Sequence, residues 1–375
     1  MKRVTVLGST GSIGKKALEI IAAFPNKFKL EAIACESNTK ELKKQIALYK
    51  PNKIGVVNKY ADIKFKKKLF VGEDGIAALS RDKDSDLVLV AINSSKALKP
   101  VLAAIESGKQ VALANKEALV MAGEIIMKEA AIYKAQILPI DSEQSAIWQC
   151  LNGNNKSDLK CIHLTASGGP LYKVSKARFK SLSKEVILNH PRWKMGKKIT
   201  VDSATMMNKG LEIIEAMWLF GVRPEMIKVL IHPQAIVHSM IEFIDGSILA
   251  QLGITDMALP IQYALSFPER LDNLDGLDFN KIKSLDFDIP DLNKFPCLEF
   301  AIDAAKTGGT LPCVLNAADE EVVKAFLEDR IKFHEIPILI ERIITAHKVN
   351  KNPNLDEIFV CDDWARNRIK ELVCL

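Results

Sequence analysis

The sequence predicts an α/β protein in three parts: a parallel sheet flanked by helices at the N-terminus, a central α+β domain, and a helical bundle at the C-terminus. Three observations carry this. Six short β-like runs, residues 4–7, 30–34, 53–57, 87–92, 110–114 and 136–140, alternate with helix-patterned segments, and such alternation builds a parallel sheet covered on both faces. After Asp141, the strand-like stretches 162–166, 229–231, 236–243 and 248–252 follow with few helices between them, as in a partly antiparallel sheet. From Cys297 onward, residues 298–305, 317–327, 336–345 and 354–372 have helical periodicity and fit a small bundle. One boundary therefore falls near residue 141. Residues 268–296, rich in Pro, Asp and Asn without periodicity, read as a linker or wrapping arm.

An apolar fraction of 48% over 375 residues can fill the cores of two or three domains. No apolar run is long enough to cross a bilayer, and Met1-Lys2-Arg3 leads straight into a strand without a signal-peptide pattern. The seven cysteines are odd in number, widely spaced and never C-x-x-C, which argues for free thiols in a reducing cytoplasm. The +6 charge is spread along the chain. Its densest run, Lys64 with Lys66–Lys68, reads as a solvated loop, so the pattern speaks against nucleic acid and suits small phosphorylated ligands.

The segment GSTGSIG, residues 8–14, follows the first strand and opens a helix, with glycines at 8, 11 and 14. Small residues there let the backbone approach a pyrophosphate, and the N–H groups of Thr10, Gly11, Ser12 and Ile13 meet it at the helix start, in a Rossmann-like arrangement. The second strand ends in Cys35-Glu36-Ser37-Asn38. Taken alone, Glu36 suits a ribose 2′-hydroxyl and points to NAD, whereas Ser37 and Asn38 can donate to a phosphate. Asn115-Lys116-Glu117 follows the fifth strand at the same carboxyl edge, with Asn115 either capping a helix or facing the cofactor.

Asp141-Ser142-Glu143 follows the sixth expected strand, where open α/β sheets place ligands. In an extended segment residues i and i+2 share a side, and two converging carboxylates call for a cation between them. Oxygen ligands select Mg²⁺ or Mn²⁺, with Glu212 as the natural third ligand. The competing reading makes Asp141 or Ser142 the cap of a helix over 144–151.

Further along, Ser167-Gly168-Gly169-Pro170 ends a strand and can cradle an anion or form a plain turn. The run from His190 to Gly196 carries Trp193 and Met195 between Pro and Gly, as in a lid or in a loop whose Trp packs on the body. His232 and His238 fall in a strand pattern and read as hydrogen-bonded core residues. In residues 200–216, an extended run over 199–201 precedes a helix capped by Ser203 or Asp202, whose N-terminus suits a phosphate. On that helix Met207, Leu211, Ile214 and Trp218 make an apolar stripe, with Thr205, Asn208, Lys209 and Glu212 opposite.

Together GSTGSIG (8–14), LANKEALV (113–120), PIDSEQSAIWQ (139–149), LTASGGP (164–170), HPRWKMGKKITVDSATMMNKGLEIIEA (190–216) and IHPQAIVHSM (231–240) closely resemble the 1-deoxy-D-xylulose 5-phosphate reductoisomerases. That resemblance implies an NADPH- and divalent-metal-dependent homodimer of the non-mevalonate isoprenoid pathway, using Mg²⁺ or Mn²⁺, with Co²⁺ also compatible. It implies Asp141, Glu143 and Glu212 as metal ligands, and Ser142 and Lys116 as substrate contacts. Ser167, Ser203, Asn208 and Lys209 match the phosphate grip, His190 a further substrate contact, and Trp193 and Met195 the closing flap. Thr10, Gly11, Ser12 and Ile13 match the pyrophosphate loop, while Asn38, Asn115, Glu117 and Gly196 match other cofactor contacts. The chain departs from the family at Glu36-Ser37, where small and often basic residues are usual.

By the same resemblance, residues 1–141 form the NADPH-binding domain and 142–267 the catalytic, metal-binding and dimerisation domain with a flap over 187–198. Residues 268–296 are the linker and 297–375 the C-terminal helical domain. The implied chemistry polarises a hydroxyketone on the metal, moves the carbon skeleton through an enolate, and traps the aldehyde by hydride as 2-C-methyl-D-erythritol 4-phosphate. Glu143 and Lys116 are the candidates for proton transfer, beside the ligands Asp141 and Glu212. The rivals are a metal-free dehydrogenase of another phosphorylated aldehyde and a nucleotide-sensing or nucleic-acid-binding module; no basic stripe supports the latter.

Overall fold

The computed structural model describes residues 1–58, 63, 65–193 and 195–374; Lys64 of the lysine run and Lys194 of the flap lie outside them. Two compact units emerge, the first from residues 1–118, 124–145 and 256–275, the second from residues 119–123, 146–255 and 276–375.

In the first unit, β1 (Lys2–Leu7), β2 (Phe28–Cys35), β3 (Lys53–Val56), β4 (Lys68–Val71), β5 (Leu87–Val90), β6 (Gln110–Leu113) and β7 (Ile137–Pro139) form one sheet. Its order is β4-β3-β2-β1-β5-β6-β7, with every pair parallel. The central strands read as unbroken apolar runs because both faces are covered: Val4, Val6, Leu87, Val88, Leu89 and Val90 are all fully buried. Between the strands run α1 (Ser12–Ala23), α2 (Thr39–Tyr49), α3 (Gly72–Ser80), α4 (Leu98–Glu106) and α5 (Lys116–Ile132), and α6 (Ser142–Leu151) follows β7. Strand order reverses at β1/β5, the place where such sheets open a crevice at their carboxyl ends. The glycine loop 8–14 sits at that point on β1.

One strand was not legible. β4 is a short edge strand with mostly exposed residues, so it lacks the apolar signature, and Lys68, expected in a solvated loop, belongs to it. A lysine on an exposed edge discourages pairing with another chain.

The second unit holds β8 (Leu159–Ala166), β9 (Ile227–Ile231), β10 (Val237–Phe243) and β11 (Ile248–Leu252) in the order β11-β10-β8-β9. β8 and β9 are parallel and the other pairs antiparallel, the partly antiparallel sheet the pattern predicts. Ile162, Leu164 and Ile241 point into the core that receives Met207, Leu211 and Ile214, while alternate residues leave the opposite face. Around this sheet come α7 (Lys184–Leu188), α8 (Lys197–Thr205) and α9 (Met207–Phe220); α10 (Ala258–Ser266) returns to the first unit. The expected C-terminal helices are α11 (Pro296–Thr307), α12 (Leu311–Leu327), α13 (Ile336–Ala346) and α14 (Leu355–Cys374). Residues 268–295 contain neither helix nor a named strand, but Asp288 exchanges backbone hydrogen bonds of 2.8 and 2.9 Å with Ile231, so part of the arm is tied to β9.

Candidate active site

At the first unit's crevice, Gly8 has φ +80°, and a Cβ there would lie 2.2 Å from the Ala91 carbonyl oxygen. A Cβ on Gly14 would meet the Gly8 oxygen at 2.3 Å. These two glycines are thus required by the tight strand-to-helix turn. Gly11 stands at the N-cap of α1 without a side-chain cap, and it and Ser12 are exposed. The Gly11 N–H donates to the Gly8 carbonyl at 3.1 Å, and the positive end of the helix beyond it suits a pyrophosphate.

Glu36, Ser37 and Asn38 are exposed at the end of β2, and Glu36 is ion-paired with Lys96. Asn38 caps α2 by accepting from Glu41 N–H at 3.2 Å. Asn115 caps α5, accepting from Ala118 N–H at 2.8 Å, while its amide donates to Glu117 at 2.8 Å and to the Ser94 carbonyl at 3.1 Å. The capping role is therefore the one the hydrogen bonds show, at the carboxyl edge of β6.

The geometry of the acidic motif differs from the extended one expected. Ser142 already opens α6, so Glu143 lies in the first helical turn, and the run of strand into helix, not an i,i+2 strand face, sets its direction. Carboxylate oxygens of Asp141 and Glu143 still approach within 4.8 Å. Lys116 supplies a compensating charge, its Nζ 2.5 Å from Asp141 Oδ2 with both side chains largely buried. Ser142 donates its hydroxyl to Glu143. An acidic pair at a helix start with an ammonium beside it is a donor set that fits a hard divalent cation.

The second unit builds its polar cluster on α8 and α9. Residues 199–201 are helical, which overturns the extended run: β-branched Ile199, Thr200 and Val201 mimic a strand, but the Thr200 hydroxyl bonds back to the Gly196 carbonyl at 2.8 Å and Lys198 pairs with Asp202 at 2.6 Å. Ser203 and Asp202 therefore sit in the last turns of α8 and are not N-caps. Met206, at φ 61°, separates the two helices. A Cβ on Gly169 would touch the Ser203 carbonyl oxygen at 2.5 Å, so the Ser167-Gly168-Gly169 loop rests directly on that turn.

On α9, Asn208 donates to Glu212 Oε1 at 2.5 Å and Lys209 pairs with the other oxygen. The expected apolar stripe is present, yet the opposite side is not solvated: Lys209 is 4% and Glu212 1% exposed.

Hydrogen bonding fixes the His190 tautomer. Its Nδ1 accepts the backbone N–H groups of Arg192 and Trp193 at 3.2 and 2.9 Å, so Nε2 carries the proton and donates to Ser167 Oγ at 3.0 Å. Gly169 N–H also donates to that oxygen at 3.3 Å, leaving the Ser167 O–H as a donor for a ligand. Burial pushes the His190 imidazole down to about 4, so it is neutral near neutral pH. In the flap segment, Trp193 and Met195 are half-buried and Gly196 exposed; Trp193 lies beside His238, centroids 6.4 Å apart. His232 and His238 are buried and hydrogen-bonded, as expected.

The sequence reading missed the support beneath α8. Lys198 bridges Asp202 and the fully buried Asp319 of α12, at 2.6 and 2.9 Å, and burial raises the Asp319 carboxyl. The i,i+4 pair was readable; the remote Asp319 carries no local signal.

Three family models match: one described as 1-deoxy-D-xylulose 5-phosphate reductoisomerase over residues 4–123, and two for C-terminal domains of that enzyme over residues 137–220 and 252–368. The 1-deoxy-D-xylulose 5-phosphate reductoisomerase of Thermodesulfovibrio yellowstonii is 47% identical, with 99% of each chain covered. That of Desulforamulus reducens is 45% identical, covering 100% of this chain and 99% of the relative. Among solved structures, a DOX-P reductoisomerase complex with NADPH, fosmidomycin and magnesium superposes with a TM-score of 0.94 at 36% identity, covering 100% and 99% of the two chains. The Zymomonas mobilis enzyme with NADPH gives 0.93 at 37%, covering 99% of both. The chain belongs to the 1-deoxy-D-xylulose 5-phosphate reductoisomerase family.

Proposed function

We propose that this chain converts 1-deoxy-D-xylulose 5-phosphate into 2-C-methyl-D-erythritol 4-phosphate by rearrangement and NADPH-dependent reduction, with a divalent cation, in isoprenoid precursor synthesis. The observation that carries this reading is the pair of acidic groups compensated by buried lysines, Asp141 with Lys116 and Glu212 with Lys209, in a chain whose full-length relatives carry that activity in their names. Related structures hold NADPH and magnesium.

Asp141, Glu143 and Glu212 are the cation ligands, for Mg²⁺ or Mn²⁺. When bound, the cation acts as a Lewis acid on neighbouring substrate oxygens and the nicotinamide delivers hydride. With a cation held by those carboxylates, the neighbouring Lys116 and Lys209 ammonium groups would be placed to meet the substrate. Ser167, Ser203, Asn208 and Lys209 grip the phosphate, and the outward Ser167 O–H is poised as a donor because two N–H groups already fill its acceptor sites. That grip supplies remote binding energy that orients the reacting carbons. Ser142 and neutral His190 contact the substrate, Glu143 or Lys116 moves the proton, and Trp193 and Met195 exclude water as the flap closes. Thr10, Gly11, Ser12 and Ile13 take the pyrophosphate, with Glu36, Ser37, Asn38, Asn115, Glu117 and Gly196 around the rest of the cofactor. Lys96, paired with Glu36, supplies the positive charge for a 2′-phosphate that the family usually takes from the strand end.

The functional division places the cofactor on residues 1–141, catalysis and dimer contacts on 142–267, the linker at 268–296 and the helical domain at 297–375. A cytoplasmic homodimer is the expected state; Ile248 and Leu249 are exposed on β11, an edge strand. Among the described residues no helix is long and apolar enough to cross a membrane. The test is NADPH consumption with 1-deoxy-D-xylulose 5-phosphate, in Mg²⁺, Mn²⁺ or EDTA, with NADH in parallel. Turnover abolished by EDTA and restored by metal is expected; full turnover in chelator overturns the reading.

A further inference from the structure

Cys161 and His163 stand two residues apart on β8, and Glu242 of β10 lies opposite Cys161 in the ladder. Alternation along a strand and pairing across it send all three side chains from the same face of the second unit's sheet, while Ile162, Leu164 and Ile241 fill the core on the other. Their ligand atoms converge. Cys161 Sγ lies 3.5 Å from His163 Nε2 and 3.2 Å from Glu242 Oε2, and the last two are 3.0 Å apart. In a tetrahedral zinc site the edges between S, N and O ligands measure about 3.4–3.6 Å, so this triangle needs to open by only a few tenths of an ångström.

We propose that Cys161, His163 and Glu242 form a zinc site, distinct in ligands from the oxygen-only set of the reductoisomerase chemistry, that pins β8 to β10. One thiolate, one imidazole and one carboxylate are a borderline-soft donor set, which selects zinc over magnesium. The arrangement is prepared for a cation in two respects. Lys160 holds Glu242 Oε1 at 2.7 Å, leaving Oε2 to face the sulfur and the ring. Cys161 is 3% exposed while His163 and Glu242 stay partly open to solvent, which buries the thiolate and leaves the fourth position to water. Without metal the Cys161 thiol donates to Glu242 Oε2; zinc would displace that proton to solvent as the sulfur ligates.

The site is tested by Co²⁺ titration of metal-stripped full-length protein, read by thiolate-to-cobalt charge-transfer absorption, a band to which oxygen ligands do not contribute. The expected result is a band saturating at one Co²⁺ per chain, abolished by added Zn²⁺ and absent from Cys161→Ser. His163→Gln and Glu242→Gln should weaken Co²⁺ binding by at least about tenfold, the loss typical even of disturbing groups behind the ligands. Mg²⁺-dependent turnover of these variants should remain that of the parent. No band in the parent protein overturns the proposal. So does a band that survives in Cys161→Ser, which would assign it to the exposed Cys374 or the half-buried Cys361. If Cys161→Ser does not fold, parent-like affinity in both His163→Gln and Glu242→Gln has the same force.

Discussion

On α12 and α14 the guanidinium of Arg366 donates to Asp362, Glu320 and Glu321 at 2.7–3.3 Å, whereas on α9 Glu212 is met by Asn208 and Lys209 of its own helix, four and three residues earlier. Both clusters bury charge within the second unit: the first ties two helices together across more than forty residues of sequence, and the second gathers an amide and an ammonium around one carboxylate on a single helical face. Arg366 is a filled fork: Glu320 and Glu321 reach it from α12, and Asp362 holds it from its own helix. Lys209 and Glu212 are 4% and 1% exposed, and burying such charges costs desolvation of the kind found at sites that hold a ligand. Buried charge that bridges two helices is architecture; a carboxylate, an amide and an ammonium gathered on one helical face are a donor set for a ligand.

The sharpest way to break that distinction is to remove one charge from each cluster. Glu212→Gln keeps shape and one of the two in-helix hydrogen bonds, and should lower kcat by about a thousandfold or more through loss of cation-assisted charge stabilisation, with a smaller loss of thermal stability than removing Arg366. Arg366→Met should do the reverse: about 3–5 kcal/mol less stable in denaturant titration, because three carboxylates lose their partner, with kcat per folded chain preserved. A Glu212 variant that loses stability instead of activity would place both clusters in one class.

Finer effects sharpen the account of the ligand side. Ser167→Ala removes one outward donor and should reduce kcat/KM by about three- to tenfold, the worth of one hydrogen bond. His190 is held near 4 when folded against about 6.5 unfolded. Its contribution is therefore complete above about pH 6.5 and lost as pH falls toward 4; the slope of unfolding free energy over that window should flatten in His190→Gln. Smallest is Lys96→Ala, expected to cut the NADPH-to-NADH preference a few-fold, in keeping with an exposed ion pair.

Much of this was legible beforehand because periodicity reports burial directly. The parallel strands of the first unit, the mixed sheet and the four C-terminal helices all have apolar patterns that only their environments explain. β4 escaped because an exposed edge strand has no such pattern. Residues 199–201 misled because β-branching reads as strand, while the tertiary anchor from Lys198 to Asp319 that favours helix lies more than a hundred residues away. The candidate site residues were picked out as motifs, but their burial was not: spacing put Lys209 and Glu212 opposite an apolar stripe, and nothing local says that this side is also covered. The Cys161–His163–Glu242 triangle joins two strands, and pairing register is invisible to a single segment.

The most direct test of the central claim, that the lysine-compensated carboxylates exist to take a cation, is Mn²⁺ binding followed by the electron paramagnetic resonance signal of the free ion, in the parent, Asp141→Asn and Glu212→Gln. One Mn²⁺ per chain, displaced by Mg²⁺ and weakened by either substitution, is the predicted result. Parent-like Mn²⁺ affinity in Glu212→Gln would contradict it and return Glu212 to the architecture of the helix.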